Sequence, residues 1–375
     1  MTHFITDIES QTVTLDGRIY TAADCRHRLY EDFCRRYGPD SFHACLAAFL
    51  REWFDASDTV CVHTSGSTGT PKELRVEKRR MMASAMMTVD FLGLRRGDAA
   101  LLCMPLQYIA GKMVVVRALV SGLNLLPVTP SGHPLKALHE APAFAAMIPM
   151  QVFNALQVPA ERALLKDIRQ LIIGGGSIDA SMSEALQDFP HAVWSTYGMT
   201  ETLSHIAMRR LNGPQASAWY TPFPGVRIST SPEGTLAIHA PAVNPDLLVT
   251  NDLVEFDAQG RFRILGRRDN TINTGGVKVQ IEQVEDALRP HLPFPFAITS
   301  VPDAKFGERI VLLVENVPAD HPLLSPAIAA LPPYWRPKKV FSVPQLPKTG
   351  TGKPDRATAR KLARSIQPQD PSTRL

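Results

Sequence analysis

The sequence predicts an α/β fold: a large N-terminal domain of sheets flanked by helices, followed by a small α+β domain. Three observations carry this reading. Between Ala99 and Phe189 short apolar runs alternate with helical patterns, the order expected of strand–helix units around a mostly parallel sheet. After Gly198 the texture changes to alternating segments joined by turns. The length, 375 residues, exceeds one ordinary domain and suits two or three.

Taken in order, amphipathic helical patterns cover Ala22–Tyr37 and Phe42–Phe54. The segment Thr59–Thr64 alternates and is β-branched, so it reads as a strand entering a loop. A Met- and Ala-rich helix is expected over Lys78–Leu92. Ala100–Pro105, Leu123–Val128, Phe144–Pro149 and Gln170–Gly176 are short continuous apolar runs, the pattern of buried strands. Val226–Ala240 and Leu253–Gly266 read as hairpins, the second turning at Asp257-Ala258-Gln259-Gly260. Beyond Arg268 come a strand-like Thr271–Gln280, a helix over Ile281–Leu288, strands within Ala297–Pro302 and Arg309–Val317, and a helix near Ser325–Leu331. A boundary near Arg268–Asp269 divides the chain into 1–267 and 268–375.

Composition excludes several classes. With 45% apolar and 20% charged residues the chain is globular rather than disordered. Forty basic against thirty-six acidic residues leave +4, which makes no case for nucleic acid or membrane as partner. The basic runs Lys78-Arg79-Arg80 and Lys353–Arg364 lie in helical patterns and read as solvated faces. Five cysteines without C-x-x-C or zinc spacing read as reduced, partly buried thiols. The opening MTHFITDIES lacks the apolar region of a signal peptide, and Met113–Val120 is short and interrupted by Arg117. A cytoplasmic location is the expectation.

The segment His63–Glu73, HTSGSTGTPKE, carries the first chemistry. From Thr64 to Lys72 every residue is Thr, Ser, Gly, Pro or Lys. Small residues let the backbone approach an anion, hydroxyls and amides donate to phosphate oxygens, and Lys72 adds a full charge. The spacing of Gly66, Gly69 and Lys72 is not that of a Walker A loop. A phosphate-gripping loop alone names no reaction.

Three further segments follow in order: STYGMTET (Ser195–Thr202), the stretch Val249–Glu285, and LPKTGTGKPDR (Leu346–Arg356). Together with Thr64–Lys72 they resemble the motifs of the adenylate-forming superfamily of acyl-CoA synthetases, peptide-synthetase adenylation domains and luciferases. The resemblance covers nearly the whole chain after residue 59. It implies an AMP-binding, adenylating domain over 1–267 and a mobile lid over 268–375. It implies that Thr64, Ser65, Gly66, Ser67, Thr68, Gly69 and Lys72 hold the β- and γ-phosphates of ATP. Gly174, Gly175 and Gly176 are similar to the turn lining the adenine pocket, and Tyr197, beside Gly198, to the aromatic that stacks on adenine. Thr200 matches the residue touching the α-phosphate and Glu201 the Mg²⁺ acid, a carboxylate suited to a hard cation. Asp252 matches the carboxylate that takes both ribose hydroxyls, which suits its two oxygens. Arg267 matches a second ribose contact. Here the usual Thr-Gly-Asp reads Thr250-Asn251-Asp252. Asp269 matches the hinge of the lid. Lys353 matches the lysine bridging the attacking carboxylate and the α-phosphate, where negative charge builds. Gly275 and Gly276 resemble the loop that replaces this lysine after rotation and lines the thiol tunnel.

Two features narrow the acid. The phosphate loop begins early, at Thr64, and Met104–Gly122 with Tyr197–Arg209 looks like short bacterial o-succinylbenzoate–CoA ligases of menaquinone biosynthesis. Tyr108 stands where many relatives have His. A keto-dicarboxylic acid needs donors for its unreacted groups, so Tyr108, Lys112, Arg117, Ser204 and His205 are acyl-substrate candidates. Each has a plain structural reading as a surface charge, a local backbone partner or a core histidine. The resemblance implies an AMP-forming acid–CoA ligase using ATP, Mg²⁺ and coenzyme A. Another aryl- or short-chain acyl-CoA synthetase, an adenylation enzyme loading a carrier protein, or a non-catalytic nucleotide binder stay open, and a homo-oligomer is compatible with the sequence.

Overall fold

The computed structural model describes residues 3–63, 73–176, 178, 180–349 and 354–366. The chain runs β1 (Thr12–Leu15), β2 (Arg18–Thr21), α1 (Ala22–His27), α2 (Leu29–Tyr37), α3 (Phe42–Trp53), β3 (Thr59–His63), β4 (Glu73–Glu77), α4 (Lys78–Leu92), β5 (Ala99–Leu102), α5 (Ile109–Ser121) and β6 (Asn124–Pro127). It continues β7 (Phe144–Met147), α6 (Pro149–Gln157), α7 (Pro159–Asp167), β8 (Gln170–Ile173), α8 (Ala180–Ala185), β9 (Ala192–Gly198), β10 (His205–Arg210) and β11 (Thr221–Pro222). Then come β12 (Arg227–Thr230), β13 (Thr235–Ala240), β14 (Asn244–Phe256) and β15 (Phe262–Arg267). The last part holds β16 (Thr271–Thr274), β17 (Val277–Gln280), α9 (Ile281–Leu288), β18 (Phe296–Asp303), β19 (Gly307–Glu315), α10 (Leu324–Ala330), β20 (Lys339–Val343) and α11 (Arg356–Ile366).

Among the described residues the largest sheet has nine strands in the order β11-β10-β9-β8-β7-β5-β6-β1-β2. Its centre, β9 to β8 to β7 to β5 to β6 to β1, is parallel. The alternation of side chains explains why these strands read as unbroken apolar runs. Ala100, Leu102, Phe144, Ala146 and Ile172 point into one core cluster, whereas Leu101, Ala145, Met147, Leu171 and Ile173 point into another on the opposite face. A sheet covered on both faces has no polar side to alternate with. The helix α5 is buried from Gly111 to Ser121, so it too is apolar nearly all round, with Lys112 and Arg117 as the charged exceptions.

Four readings change in detail. The helix expected over Ala22–Tyr37 breaks at Arg28, whose φ −140° and ψ −28° are not helical. Buried Ala22, Cys25, Leu29 and Phe33 keep a helical spacing across the break, so periodicity does not expose it. The hairpin β1–β2 was not anticipated, although Asp16 (φ 47°) and Gly17 (φ 79°) form its turn and Asp-Gly is a strong hairpin signal. The phosphate loop joins β3 to its antiparallel partner β4, not directly to a helix. Thr271–Gln280 is a hairpin, not one strand. Gly275 (φ 60°) and Gly276 (φ 80°) are its two turn residues, a left-handed pair that glycine adopts without steric cost.

Lys78, read as part of a solvated face, is 2% exposed, and its ammonium lies 2.8 Å from Asp55 Oδ1. Its stem completes the packing of α4 on the core while the head finds an acid. Arg79 and Arg80 at the same helix start pair with Glu77. Lys361 and Arg364 on α11 are exposed, as read. Of the cysteines, Cys25 and Cys103 are buried and Cys45 is exposed. No helix of the described residues is long and apolar enough to cross a membrane.

Core residues up to Phe262 belong to two clusters, and those from Ile272 onward to two others. Within the later part, Arg356 at the start of α11 makes a two-pronged ion pair with Glu285 of α9, at 2.5 and 2.6 Å. Lys348 and Pro354 form an isolated antiparallel bridge, and the Asp355 amide donates to Pro347 carbonyl at 2.9 Å. These contacts join the described residues on either side of 350–353.

Candidate active site

Among the described residues expected to bind nucleotide, Tyr197, Asp252 and Arg267 come together where β9, β14 and β15 meet. Thr64, Ser65, Gly66, Ser67, Thr68, Gly69, Lys72 and Lys353 lie outside the described residues. Gly174, Gly175 and Gly176 follow the C-terminal end of β8, the edge of a parallel sheet where ligands of open α/β folds bind. A Cβ on Gly174 would lie 2.5 Å from Thr196 Oγ1, so the neighbouring strand already requires glycine there.

Tyr197 ends β9 half-buried, with Phe262 edge-on at 5.1 Å and Tyr220 at 6.0 Å. Its hydroxyl donates to Asp252 Oδ2. Burial, then the Asp252 charge, push the phenol well above its ordinary range, so it stays a donor. Arg267 Nη1 lies 3.4 Å from Asp252 Oδ1, while its Nε and Nη2 each donate to Asp269 at 2.9 Å. Burial raises the Asp269 carboxyl, but the hydrogen bonds from Arg267 outweigh it and the net shift is downward. The chain Tyr197–Asp252–Arg267–Asp269 thus ties the ribose candidate to the hinge candidate. The register of β14 on β15, which pairs Asp252 with Arg267, makes that contact.

Thr200 and Glu201 sit on a 3-10 turn, Thr200–Thr202, that is built around buried Thr202. The Thr202 hydroxyl accepts from the Met199 amide at 2.9 Å and donates to Ser204 carbonyl at 2.6 Å. Leu203 between them has φ +64°, a backbone region that costs a branched side chain energy and persists only when its surroundings impose it. Thr200 and Glu201 border a cleft of about 290 Å³ facing Leu74, Arg75 and Asn244. The Glu201 carboxylate is exposed, and a carboxylate is the ligand type a hard divalent cation takes; no cluster of three or more acidic, His or Cys side chains lies around it among the described residues.

Gly198 has a packing reason of its own. A Cβ there would lie 2.2 Å from Ser204 carbonyl and 2.5 Å from His205 Cα. Gly198→Ala is expected to lose about 3 kcal/mol or more, since the clash is with backbone. Thermal unfolding should show it as a Tm drop of roughly 6–12 °C, and an unchanged Tm would refute the close approach.

Three acyl candidates come together. Arg117 is 2% exposed in α5, and its Nη2 donates to Ser204 Oγ at 2.8 Å. Ser204 Oγ is 3.2 Å from His205 Nδ1, and His205 Nε2 is 2.9 Å from Thr88 Oγ1 of α4. Burial brings the Arg117 guanidinium down to about 9. Among the described residues its Nε has no hydrogen-bond partner and it makes no ion pair. Burial, and then the Arg117 charge, hold His205 far below its usual range. Lys112 does not join them: its ammonium contacts Cys61 carbonyl and lies 3.5 Å from Glu52 and 4.9 Å from the Phe49 ring centre. Tyr108 precedes α5 half-buried, its carbonyl accepting from the Lys112 amide at 3.5 Å. Thr88 was not anticipated. Ser84 and Thr88, two hydroxyls one turn apart on the buried face of an otherwise apolar stripe, were the signal.

This arrangement is that of a nucleotide-dependent adenylating fold, and residues 15–234 match the family of AMP-binding enzymes. The chain belongs to that family. It is 31% identical over 84% of its length to a probable 2-succinylbenzoate–CoA ligase of Mycobacterium tuberculosis, covering 88% of that protein. It is 24% identical over 85% of its length to a 2-succinylbenzoate–CoA ligase of Bacillus mycoides, covering 73% of that protein. Among solved structures it is similar to an acyl-CoA synthetase (AMP-forming)/AMP-acid ligase II-like protein of Dyadobacter fermentans. That match has TM-score 0.59 and 33% identity, over 85% of this chain and 94% of the other. It also shares the fold of o-succinylbenzoate coenzyme A synthetase of Bacillus subtilis, with TM-score 0.72 and 17% identity over 94% and 96% of the two chains.

Proposed function

We propose that the chain is an AMP-forming acid–thiol ligase that activates 2-succinylbenzoate with ATP and transfers it to coenzyme A. The observation that carries the substrate is Arg117. A buried guanidinium without a carboxylate is costly, and an anionic ligand relieves that cost better than any neutral one. Its partner Ser204 follows the Mg²⁺ candidate Glu201 by three residues, which supports a role beside the same motif. A second carboxylate on the acid is the natural partner.

In the first half-reaction a carboxylate oxygen of the acid attacks the α-phosphorus, the bond to the β-phosphate oxygen breaks, and pyrophosphate leaves. Tyr197 stacks on the base, while Asp252, oriented by Tyr197 and Arg267, accepts from the ribose. Thr200 contacts the α-phosphate, and Lys353 meets the charge that builds on phosphorus. Magnesium, held by Glu201, would supply charge neutralisation for the phosphates. In the second half-reaction the thiol of coenzyme A attacks the acyl carbon, and AMP leaves with the acyl oxygen. The units 1–267 and 268–375 move relative to each other about Asp269 between the two steps, and Gly275 and Gly276 take the place of Lys353.

ATP–pyrophosphate exchange across a panel of carboxylic acids tests this. Exchange that needs both 2-succinylbenzoate and Mg²⁺ is expected, with a coenzyme A thioester identified by mass. Equal exchange with simple benzoates and none with 2-succinylbenzoate would overturn the substrate. Thioester formed only on a phosphopantetheinyl carrier would overturn the acceptor.

A further inference from the structure

We propose that His205 and Thr88 are positioning residues for the acid's second carboxylate: neutral His205, protonated on Nε2, holds the Ser204 hydroxyl that fixes Arg117. The inference rests on the substrate reading above and concerns residues from three elements, α4, α5 and β10.

Counting donors determines the direction of the chain. Arg117 can only donate, so Ser204 Oγ accepts its Nη2 proton. Ser204 has one proton left to give, and His205 Nδ1 is 3.2 Å away. At the far end the Thr88 hydroxyl is 3.2 Å from Ser84 carbonyl, which can only accept. Thr88 therefore gives its proton to the helix backbone and accepts from His205 Nε2 at 2.9 Å. One arrangement uses every proton: Arg117 to Ser204, Ser204 to His205 Nδ1, His205 Nε2 to Thr88, and Thr88 to Ser84 carbonyl. With the proton on Nδ1 instead, Ser204 would accept twice and its own proton would have no partner in the chain. Protonation of both nitrogens would set a second cation beside Arg117 in a fully buried position, which burial and the Arg117 charge both disfavour.

The consequence is mechanical. Arg117 has several staggered torsions, and a lone long side chain in a roomy pocket would sample many of them. Here one guanidinium edge is tied to a chain that ends on the backbone of α4, and Phe223 closes the other side of the imidazole edge-on at 5.6 Å. Among the described residues Nε is left without a protein partner. Pre-orienting a charged donor in this way lowers the ordering cost of binding and so acts on KM for the acid.

The test combines a spectrum with kinetics. Two-bond ¹H–¹⁵N correlation spectra of the histidine-labelled full chain should show one buried ring with the Nε2–H pattern. An Nδ1–H pattern at His205, assigned by its loss in His205→Asn, would overturn the proposal. In the exchange assay, His205→Leu should raise KM for 2-succinylbenzoate by about 3- to 10-fold, the scale of one lost neutral hydrogen bond. KM for ATP should stay within about 2-fold. His205→Asn, whose amide oxygen can still accept from Ser204, should restore most of the loss. Thr88→Val, of nearly the same shape, gives the same direction should the leucine variant fail to fold. Equal KM for both acid and ATP in all variants, or equal damage from Asn and Leu, overturns the positioning role. Absence of exchange with 2-succinylbenzoate in the wild-type chain would instead fell the substrate reading, while the spectrum still decides the tautomer.

Discussion

Lys353→Ala is expected to lower adenylate formation by roughly 10²–10³ or more, the scale of removing a group aimed at charge that builds only in the transition state. The loss should fall on kcat of ATP–pyrophosphate exchange rather than on KM for ATP, because in the proposed mechanism Lys353 meets developing charge and Asp252 and Tyr197 hold the ground-state nucleotide. Supplied acyl-adenylate should still be converted to thioester at close to the normal rate, since the proposed alternation has by then exchanged Lys353 for the Gly275-Gly276 turn. Equal loss in both halves would refute domain alternation. On either side of residues 350–353, Lys348 and Pro354 form a bridge, and α11 is pinned by the Arg356–Glu285 pair.

Arg117→Met is expected to separate binding from stability. Truncating one member of a buried charge pair costs about 2–5 kcal/mol, so kcat/KM for 2-succinylbenzoate should fall roughly 30- to 3,000-fold. Stability should not fall with it. In the free chain Arg117 is a buried charge without an acid among the described residues, and an apolar side chain of similar length removes the cost of burying it. The melting temperature is therefore expected to hold or rise. A large drop in Tm would mean that the guanidinium stabilises the fold, and would remove the argument that it waits for a ligand carboxylate.

The motifs were legible in the sequence where they are contiguous, as in Ser195–Thr202, because short-range residue types dictate local backbone shape. Strand and helix positions were legible for the same reason, down to Lys78–Leu92 and Ile281–Leu288. Even the missed β1–β2 hairpin announced itself in Asp16-Gly17. Asp252 and Arg267, 15 residues apart, are brought together by the register of β14 on β15.

What joins distant segments was not legible. Nothing in Lys112 and Arg117, five residues apart on one helix, says that the first turns to β3 and the second to Ser204, just before β10. Their separation around the helix is fixed by geometry, but the neighbour each face meets depends on how α4, α5 and the sheet pack. His205 could equally have been a core histidine or a ligand contact until Thr88 arrived from 117 residues away to take one nitrogen and leave the other for Ser204. The sequence by itself determined the fold class, the nucleotide motifs and their order, because those depend on local backbone and period. Only the tertiary structure decided which polar side chains share one buried chain, because hydrogen-bond partners are chosen by packing.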